Sequence, residues 1–314
     1  MGCALWILTG STAVGKTALS LELARLLDAE ILSCDSVQVY RGADIGSAKI
    51  SPEERANIPH HGLDLCDPRE TFDVGRYGEY ARSIVDEMQN KNKNLLIVGG
   101  AGFYLKSFFA NAIDDILVPQ NVYEEVRLFY KNFGLAALQR AIGQYGSVDL
   151  NVSDWHNPRR LINILAKQRV TGLAQVALKQ KFLQRACPFD KFFRKVILLE
   201  RRSESLNMRI ERRVEEMFRE GFIEEVRNLG EMCPPLASAI GYREVRAYLA
   251  SGEKITEKDV KKRVIEGTRQ LVKKQKTWFR RQISIDFRIN LDEYSLNESF
   301  DIIATFCKNS ESWV

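Results

Sequence analysis

The sequence predicts an α/β fold: a parallel sheet with helices on both faces, interrupted by an all-helical insertion. Three observations predict it. Short apolar runs recur and end in glycine or a polar turn. Segments with helical apolar spacing separate them. A long stretch without any strand pattern lies between two of the runs.

The first run, Ala4 to Thr9, is continuously apolar, as a strand buried on both faces is. Residues 18–27 follow with Leu19, Leu23, Leu26 and Leu27 at helical spacing. Glu30 to Cys34 reads as a second strand and residues 76–90 as a helix. Leu95 to Val98 reads as a third strand, closed by Gly99-Gly100, and Val196 to Leu199 as a fourth. Between the third and fourth strands the pattern is helical only, over about 120–132, 134–145, 158–170 and 172–185. This block is therefore read as an insertion, residues 113–187, into a core of residues 1–112 and 188–314. A helix over 203–219 puts Leu206, Ile210, Val214 and Met217 on one face, and Gly221 breaks it. A longer helix begins at Thr256, where Thr256 and Asp259 suit a capping box, and runs to about Arg281.

Composition limits the function classes. The 314 residues are 45% hydrophobic, enough for a substantial core. No apolar run approaches the ~20 residues of a membrane span, and the opening run lacks the lead-in of a signal peptide, so a cytoplasmic protein is expected. Six scattered cysteines without a C-x-x-C pair argue against a disulfide frame or a structural zinc site. His60-His61 reads as turn packing or a substrate contact, since adjacent side chains diverge and no third metal ligand is evident. The net charge of +5 is uneven: −3 over residues 1–110 and +8 over 111–314. Ten Lys/Arg against two acids within 258–281 suggest a polyanionic partner, although a solvated helix face has the same composition.

One motif points to chemistry by itself. Gly10-Ser11-Thr12-Ala13-Val14-Gly15-Lys16-Thr17 matches G-x-x-x-x-G-K-[ST] between a predicted strand and a predicted helix. Such a P-loop wraps backbone N–H groups around phosphate oxygens at a helix N-terminus. Lys16 adds a full charge, and the Thr17 hydroxyl suits a Mg²⁺ bridging phosphates. The motif does not distinguish a nucleotide such as ATP, held for phosphoryl transfer, from a diphosphate that leaves. Asp35 follows the second strand, at the carboxyl end where open α/β sheets bind ligands. It suits a proton acceptor or a metal-water contact, and equally an Asx-turn.

Several further segments converge: Cys34 to Lys49 (CDSVQVYRGADIGSAK), PHHGLD at 59–64, VGGAGFY at 98–104, RIERRVEEMFREGFIEEVRNL at 209–229, AIGYREVRAYLASG at 239–252 and TRQLVKKQKTWFRR at 268–281. In this order, over most of the chain, they resemble the tRNA dimethylallyltransferase family. The resemblance implies a P-loop NTPase-like core with an inserted all-helical tRNA-binding domain. It also implies transfer of a dimethylallyl group from dimethylallyl diphosphate to the N6 amine of the adenosine just 3′ of the anticodon, with Mg²⁺ and with the anticodon stem-loop as partner, by a monomer. Carried over by motif, Asp35 is the general base, Lys16 and the loop from Gly10 to Thr17 hold the diphosphate, and Arg213 of Arg-Ile-x-x-Arg stabilises it as it leaves. Asp35, Ser36, Val37 and Gln38 face the adenosine. Arg159, Arg160, Leu161, Ile162 and Asn163, with Gly241, Tyr242 and Arg243, match segments near the tRNA. The chain departs from the family at Ala101, where a threonine is usual and a hydroxyl contact to the substrate is lost, and at Ser11, which replaces a proline.

Other readings of the residues stay open. A P-loop small-molecule kinase would use the same loop with ATP but needs neither the insertion nor the basic helix. A prenyltransferase of free adenine nucleotides, or a nucleic-acid-binding protein with an idle P-loop, would also fit parts of the pattern. In the basic helix, Trp278 and Phe279 suit the core better than base stacking.

Overall fold

The computed structural model describes residues 3–111, 116–252 and 254–311. In chain order it contains β1 (Leu5–Gly10), α1 (Lys16–Leu26), β2 (Ala29–Cys34), β3 (His60–His61), α2 (Val74–Lys91), β4 (Asn94–Gly99) and α3 (Gly102–Lys106). The insertion follows as α4 (Gln120–Gly143), α5 (Val152–Trp155), α6 (Pro158–Thr171) and α7 (Gln175–Leu183). The remainder is β5 (Arg194–Glu200), α8 (Ser203–Arg219), α9 (Phe222–Leu229), α10 (Pro234–Ala237), α11 (Tyr242–Leu249), α12 (Glu257–Gln282), β6 (Phe287–Asn290) and α13 (Leu296–Glu311).

The six strands form one sheet in the order β3-β2-β4-β1-β5-β6, with every pairing parallel. The central strand β1 is buried along its whole length and carries no charged residue; its one polar side chain, Thr9, donates to Gly99 O at 2.8 Å. Its side chains alternate between faces. Trp6 and Leu8 share a core with Leu19 and Leu23 of α1 and Ile303 of α13, while Leu5 and Ile7, on the opposite face, are equally buried. Both faces are therefore covered.

The chain divides into two compact units, residues 1–112 with 188–314, and residues 113–187. Within the second unit, Val126, Leu138, Ile142, Leu161, Leu165 and Ala166 form a separate small core. Gly134, at φ 75°, kinks α4 at the point where the sequence suggested two helices. The capping box at α12 is present: Asp259 N donates to Thr256 Oγ1 at 3.2 Å, and Thr256 N to Asp259 Oδ2 at 3.3 Å. β3, β6 and α13 are not marked by the sequence pattern.

The loop after β2 is held from a distance. Glu225 of α9 accepts hydrogen bonds from the amides of Asp44, Ile45 and Gly46 at 2.9, 2.5 and 3.1 Å, and from Tyr242 Oη at 2.8 Å. A Cβ on Gly46 would lie 2.2 Å from a Phe222 ring carbon and 2.6 Å from the Tyr242 ring. Both rings are fully buried and cannot withdraw. Gly46→Ala is therefore expected to destabilise the protein by about 1–3 kcal/mol, the usual range for overpacking. Thermal unfolding checks it, and an unchanged Tm would show that the loop shifts freely.

Candidate active site

The carboxyl ends of β1, β2 and β4 meet at one edge of the sheet, so three turns separated in sequence face one another. The turn after β1 is the phosphate loop. It packs so closely that a Cβ on Gly10 would lie 2.6 Å from Leu199 O. Ala13 adopts φ 65°, and Gly15, the N-cap of α1, φ 113°, which orient the amides opening the helix. The first turn of a helix leaves its N–H groups without intrahelical partners, so the α1 N-terminus is a fitting anion site.

Lys16 lies back across this loop. Its Nζ donates to Gly10 O at 2.9 Å and Ser11 O at 3.0 Å. Burial pulls its pKa down to about 8; the Asp35 carboxylate opposes the shift and the Arg213 guanidinium adds to it. Residues far apart in sequence thus act on one ammonium group. Arg213 projects from α8, half-buried. Burial lowers its pKa also, against the attraction of Asp35. It makes no hydrogen bond or ion pair with the described residues.

A lysine with a depressed pKa is charged below about 8 and neutral above it. An anion selects the charged form. Affinity for pyrophosphate is therefore expected to fall as pH rises through about 8, approaching tenfold per pH unit above it. Calorimetric titrations at pH 7 and 9 test this. Lys16→Arg, which stays charged, should flatten the profile, and an equal slope in that variant would assign the titration elsewhere.

Asp35 opens the turn after β2. Its Oδ1 accepts from the Val37 amide at 2.8 Å and the Gln38 amide at 3.4 Å, an Asx-turn that fixes the carboxylate. Oδ2 has no hydrogen-bond partner among the described residues. The Asx-turn expected of this residue is therefore present through Oδ1, which leaves Oδ2 available for a proton or a metal-bound water. Ser36 is exposed and Val37 half-buried. Ala101, half-buried at the N-cap of α3, donates its amide to Cys34 O at 3.2 Å, joining the β4 turn to the β2 turn.

Several expected contacts are not available. Gln38 accepts from Ser33 Oγ at 2.8 Å and donates to Ser47 O and Ala48 O at 3.4 and 3.3 Å, so its carboxamide is engaged in the turn. Tyr242 is fully buried, with its hydroxyl on Glu225, and cannot reach RNA. Leu161 lies in the insertion core and is equally inaccessible. Its neighbours on α6 differ. Arg159 and Asn163 are exposed and Ile162 is half-buried, whereas Arg160 is paired with Asp154. Gly241 is buried as the N-cap of α11; Arg243 is exposed and bound to Glu244. In the loop itself, the Val14 side chain is buried, and the amides of Thr12 and Val14 are occupied, by Gln275 and by Ser11 O.

The structure also supplies residues that motif reading missed. Arg209 Nε donates to Ala13 O at 2.8 Å and Arg201 Nε to Val14 O at 2.9 Å, so two guanidinium groups brace the loop from behind. Arg201 in turn is held by Asp292 at 2.6 Å. The Arg-Ile-x-x-Arg spacing puts Arg209 on the same helical face as Arg213 and was the one signal available for it.

On α12, Phe279 is buried and Trp278 half-buried. The Trp278 ring packs against Gly102, where a Cβ would approach it to 2.7 Å. Beside it runs a groove of about 400 Å³ lined by Lys273, Lys274, Thr277 and Arg281. His61 pairs with Glu30 at 2.6 Å, and no cluster of three or more His, Cys, Asp or Glu among the described residues could hold a metal ion. No helix among the described residues is long and apolar enough to cross a membrane.

Comparison with known proteins gives a consistent result. The sequence model of the IPP transferase family matches residues 38–282. A tRNA dimethylallyltransferase of Opitutus terrae is 38% identical over 290 residues, 91% of this chain and 92% of the relative. The crystal structure of the full-length tRNA isopentenylpyrophosphate transferase from Bacillus halodurans superposes with a TM-score of 0.70 at 29% identity, covering 98% of this chain and 96% of that one. A eukaryotic dimethylallyltransferase described as acting on tRNA shares the fold, with a TM-score of 0.79 at 22% identity over 98% of this chain and 80% of that one.

Proposed function

The chain belongs to the IPP transferase family, and we propose on that premise that it transfers a dimethylallyl group to tRNA, from dimethylallyl diphosphate to the N6 amine of the adenosine just 3′ of the anticodon. Beside the family match, the observation that supports this reading is the convergence of Asp35 and Arg213 on Lys16 at the phosphate loop.

The allylic C–O bond breaks and its electron pair leaves with the diphosphate. Lys16, Arg213 and the amides opening α1 stabilise the charge that gathers there. The adenine amine forms the new N–C bond and gives up a proton, which Oδ2 of Asp35 accepts. Its lone pair is otherwise delocalised into the ring, so removal of the proton makes the amine a better nucleophile. The base must leave the helical stack to reach this edge of the sheet. The exposed Arg159 and the basic groove of α12 supply phosphate contacts, and binding should weaken with salt.

Mg²⁺ would neutralise part of the diphosphate charge. The hydroxyl of the exposed Thr17, without a hydrogen-bond partner among the described residues, fits such an ion. A single neutral ligand suits Mg²⁺, which keeps waters and phosphate oxygens in its shell. The reaction takes place in the cytoplasm, where the acceptor is found.

The test is a transfer assay with radiolabelled dimethylallyl diphosphate, Mg²⁺ and unmodified tRNA bearing adenosine 3′ of the anticodon. Label in the tRNA, absent when that adenosine is replaced by guanosine, is the expected result. Turnover of ATP with a small acceptor and no label in tRNA would overturn it in favour of a kinase.

A further inference from the structure

Gln275 lies on α12, on the turn before Trp278, and bridges two of the three turns that make the site. Its Oε1 accepts from the Thr12 amide of the phosphate loop at 2.9 Å, and its Nε2 donates to Gly100 O of the β4 turn at 3.1 Å. The partners assign the carboxamide without ambiguity, since an N–H demands the oxygen and a C=O demands the nitrogen. The two turns touch beneath it: a Cβ on Gly100 would lie 2.9 Å from Gly10 O and 2.8 Å from Nε2. No residue without both a donor and an acceptor at this reach can make the same bridge.

We propose that Gln275 is a positioning residue, a clip that sets the spacing between the loop holding the diphosphate and the Gly100-Ala101 turn on the acceptor side. The inference rests on the function proposed above. Transfer requires the allylic carbon and the attacking nitrogen to be held within a few tenths of an ångström of line, and a misplacement of ~1 Å is enough for a hundredfold loss of rate. The phosphate loop fixes the first atom and the β2 and β4 turns fix the second. Gln275 joins these two halves by side-chain hydrogen bonds, and it stands on the helix whose outer face bears the basic groove. The Thr12 amide is therefore a structural donor in this loop, directed at α12 and not at the diphosphate.

The test uses Gln275→Met, which keeps the volume and loses both hydrogen bonds, and Gln275→Asn, which keeps the carboxamide but falls one carbon short. In the transfer assay kcat is expected to fall by about 10–100-fold in both, with KM for tRNA within about twofold. Pyrophosphate affinity, read by calorimetry without any transfer, should weaken about tenfold as the loop loosens. Hydrogen exchange at the Thr12 amide should accelerate in both variants, a signature that general destabilisation would spread over the whole sheet. A raised KM for tRNA with unchanged kcat would overturn the clip and make Gln275 an RNA contact. Unchanged kcat, pyrophosphate affinity and Thr12 exchange in a folded variant would also overturn it. Wild-type protein that binds pyrophosphate without alkylating tRNA would defeat the functional reading alone, and the exchange and affinity readouts would still decide the clip.

Discussion

Asp35→Asn is expected to lower kcat for dimethylallyl transfer by about 10²–10⁴-fold, the contribution of a well-placed general base. The substitution is clean because the two carboxylate oxygens do different work. Oδ1 builds the Asx-turn through Val37 and Gln38, and an asparagine Oδ1 accepts the same bonds. Only Oδ2 changes, from a proton acceptor to an amide nitrogen that cannot accept. The turn, the fold and the affinity for tRNA should survive. Removing the carboxylate also removes a charge that holds the Lys16 pKa up, so rates are compared over a range of pH, and the loss at the low-pH end, where Lys16 is most protonated, reports the missing base. Single-turnover rates with saturating tRNA measure the effect. A loss of less than about threefold would mean that the amine needs no base and that Asp35 is there for the turn alone.

Arg213→Gln is expected to lower kcat by about 10²–10³-fold, the range for one lost group that stabilises charge in a transition state. Three arginines within five residues of α8 separate by environment. Arg212 is exposed and paired with Glu216, Arg209 is tied to Ala13 O, and Arg213 is half-buried without a hydrogen-bond or ion-pair partner among the described residues. A cation that is partly desolvated, with no direct hydrogen bond or ion pair to repay the cost, opposes folding, so the same substitution should raise Tm while it removes activity. That opposite pair of outcomes is the mark of a residue kept for function. Arg212→Gln serves as the control and should change neither. Full activity of Arg213→Gln with a lowered Tm would return Arg213 to a packing role.

The contrast among these arginines shows where sequence reading stops. The phosphate loop was legible because every element of it is local: the strand, the glycines, the lysine and the helix lie within a few residues of one another. The helical character of the block between β4 and β5 was legible for a related reason, since loss of the strand period between two buried runs is a change of pattern along the chain. Which members of a motif face the site was not legible. Tyr242 and Leu161 sit inside motifs matched to the RNA-binding segments, yet both are buried. Gln38 likewise bonds to its own turn. A short segment mixes residues that face a ligand with residues that hold the segment in place, and only packing separates them.

The class of the fold, the glycine-lined loop between β1 and α1 and the acidic residue after β2 could be read from the chain alone, because each follows from covalent neighbours and backbone geometry. Tertiary structure alone decided the rest. β6 has four residues and α13 lies near the chain end; neither has a pattern strong enough to predict, and both are defined by packing on β5 and α1. Gln275 on Thr12, Arg201 on Val14 and Glu225 on the Asp44–Gly46 amides each join residues about 180 or more positions apart. A hydrogen bond of that kind leaves no periodicity or spacing in the sequence, since its geometry exists only once the sheet has brought the partners to one edge.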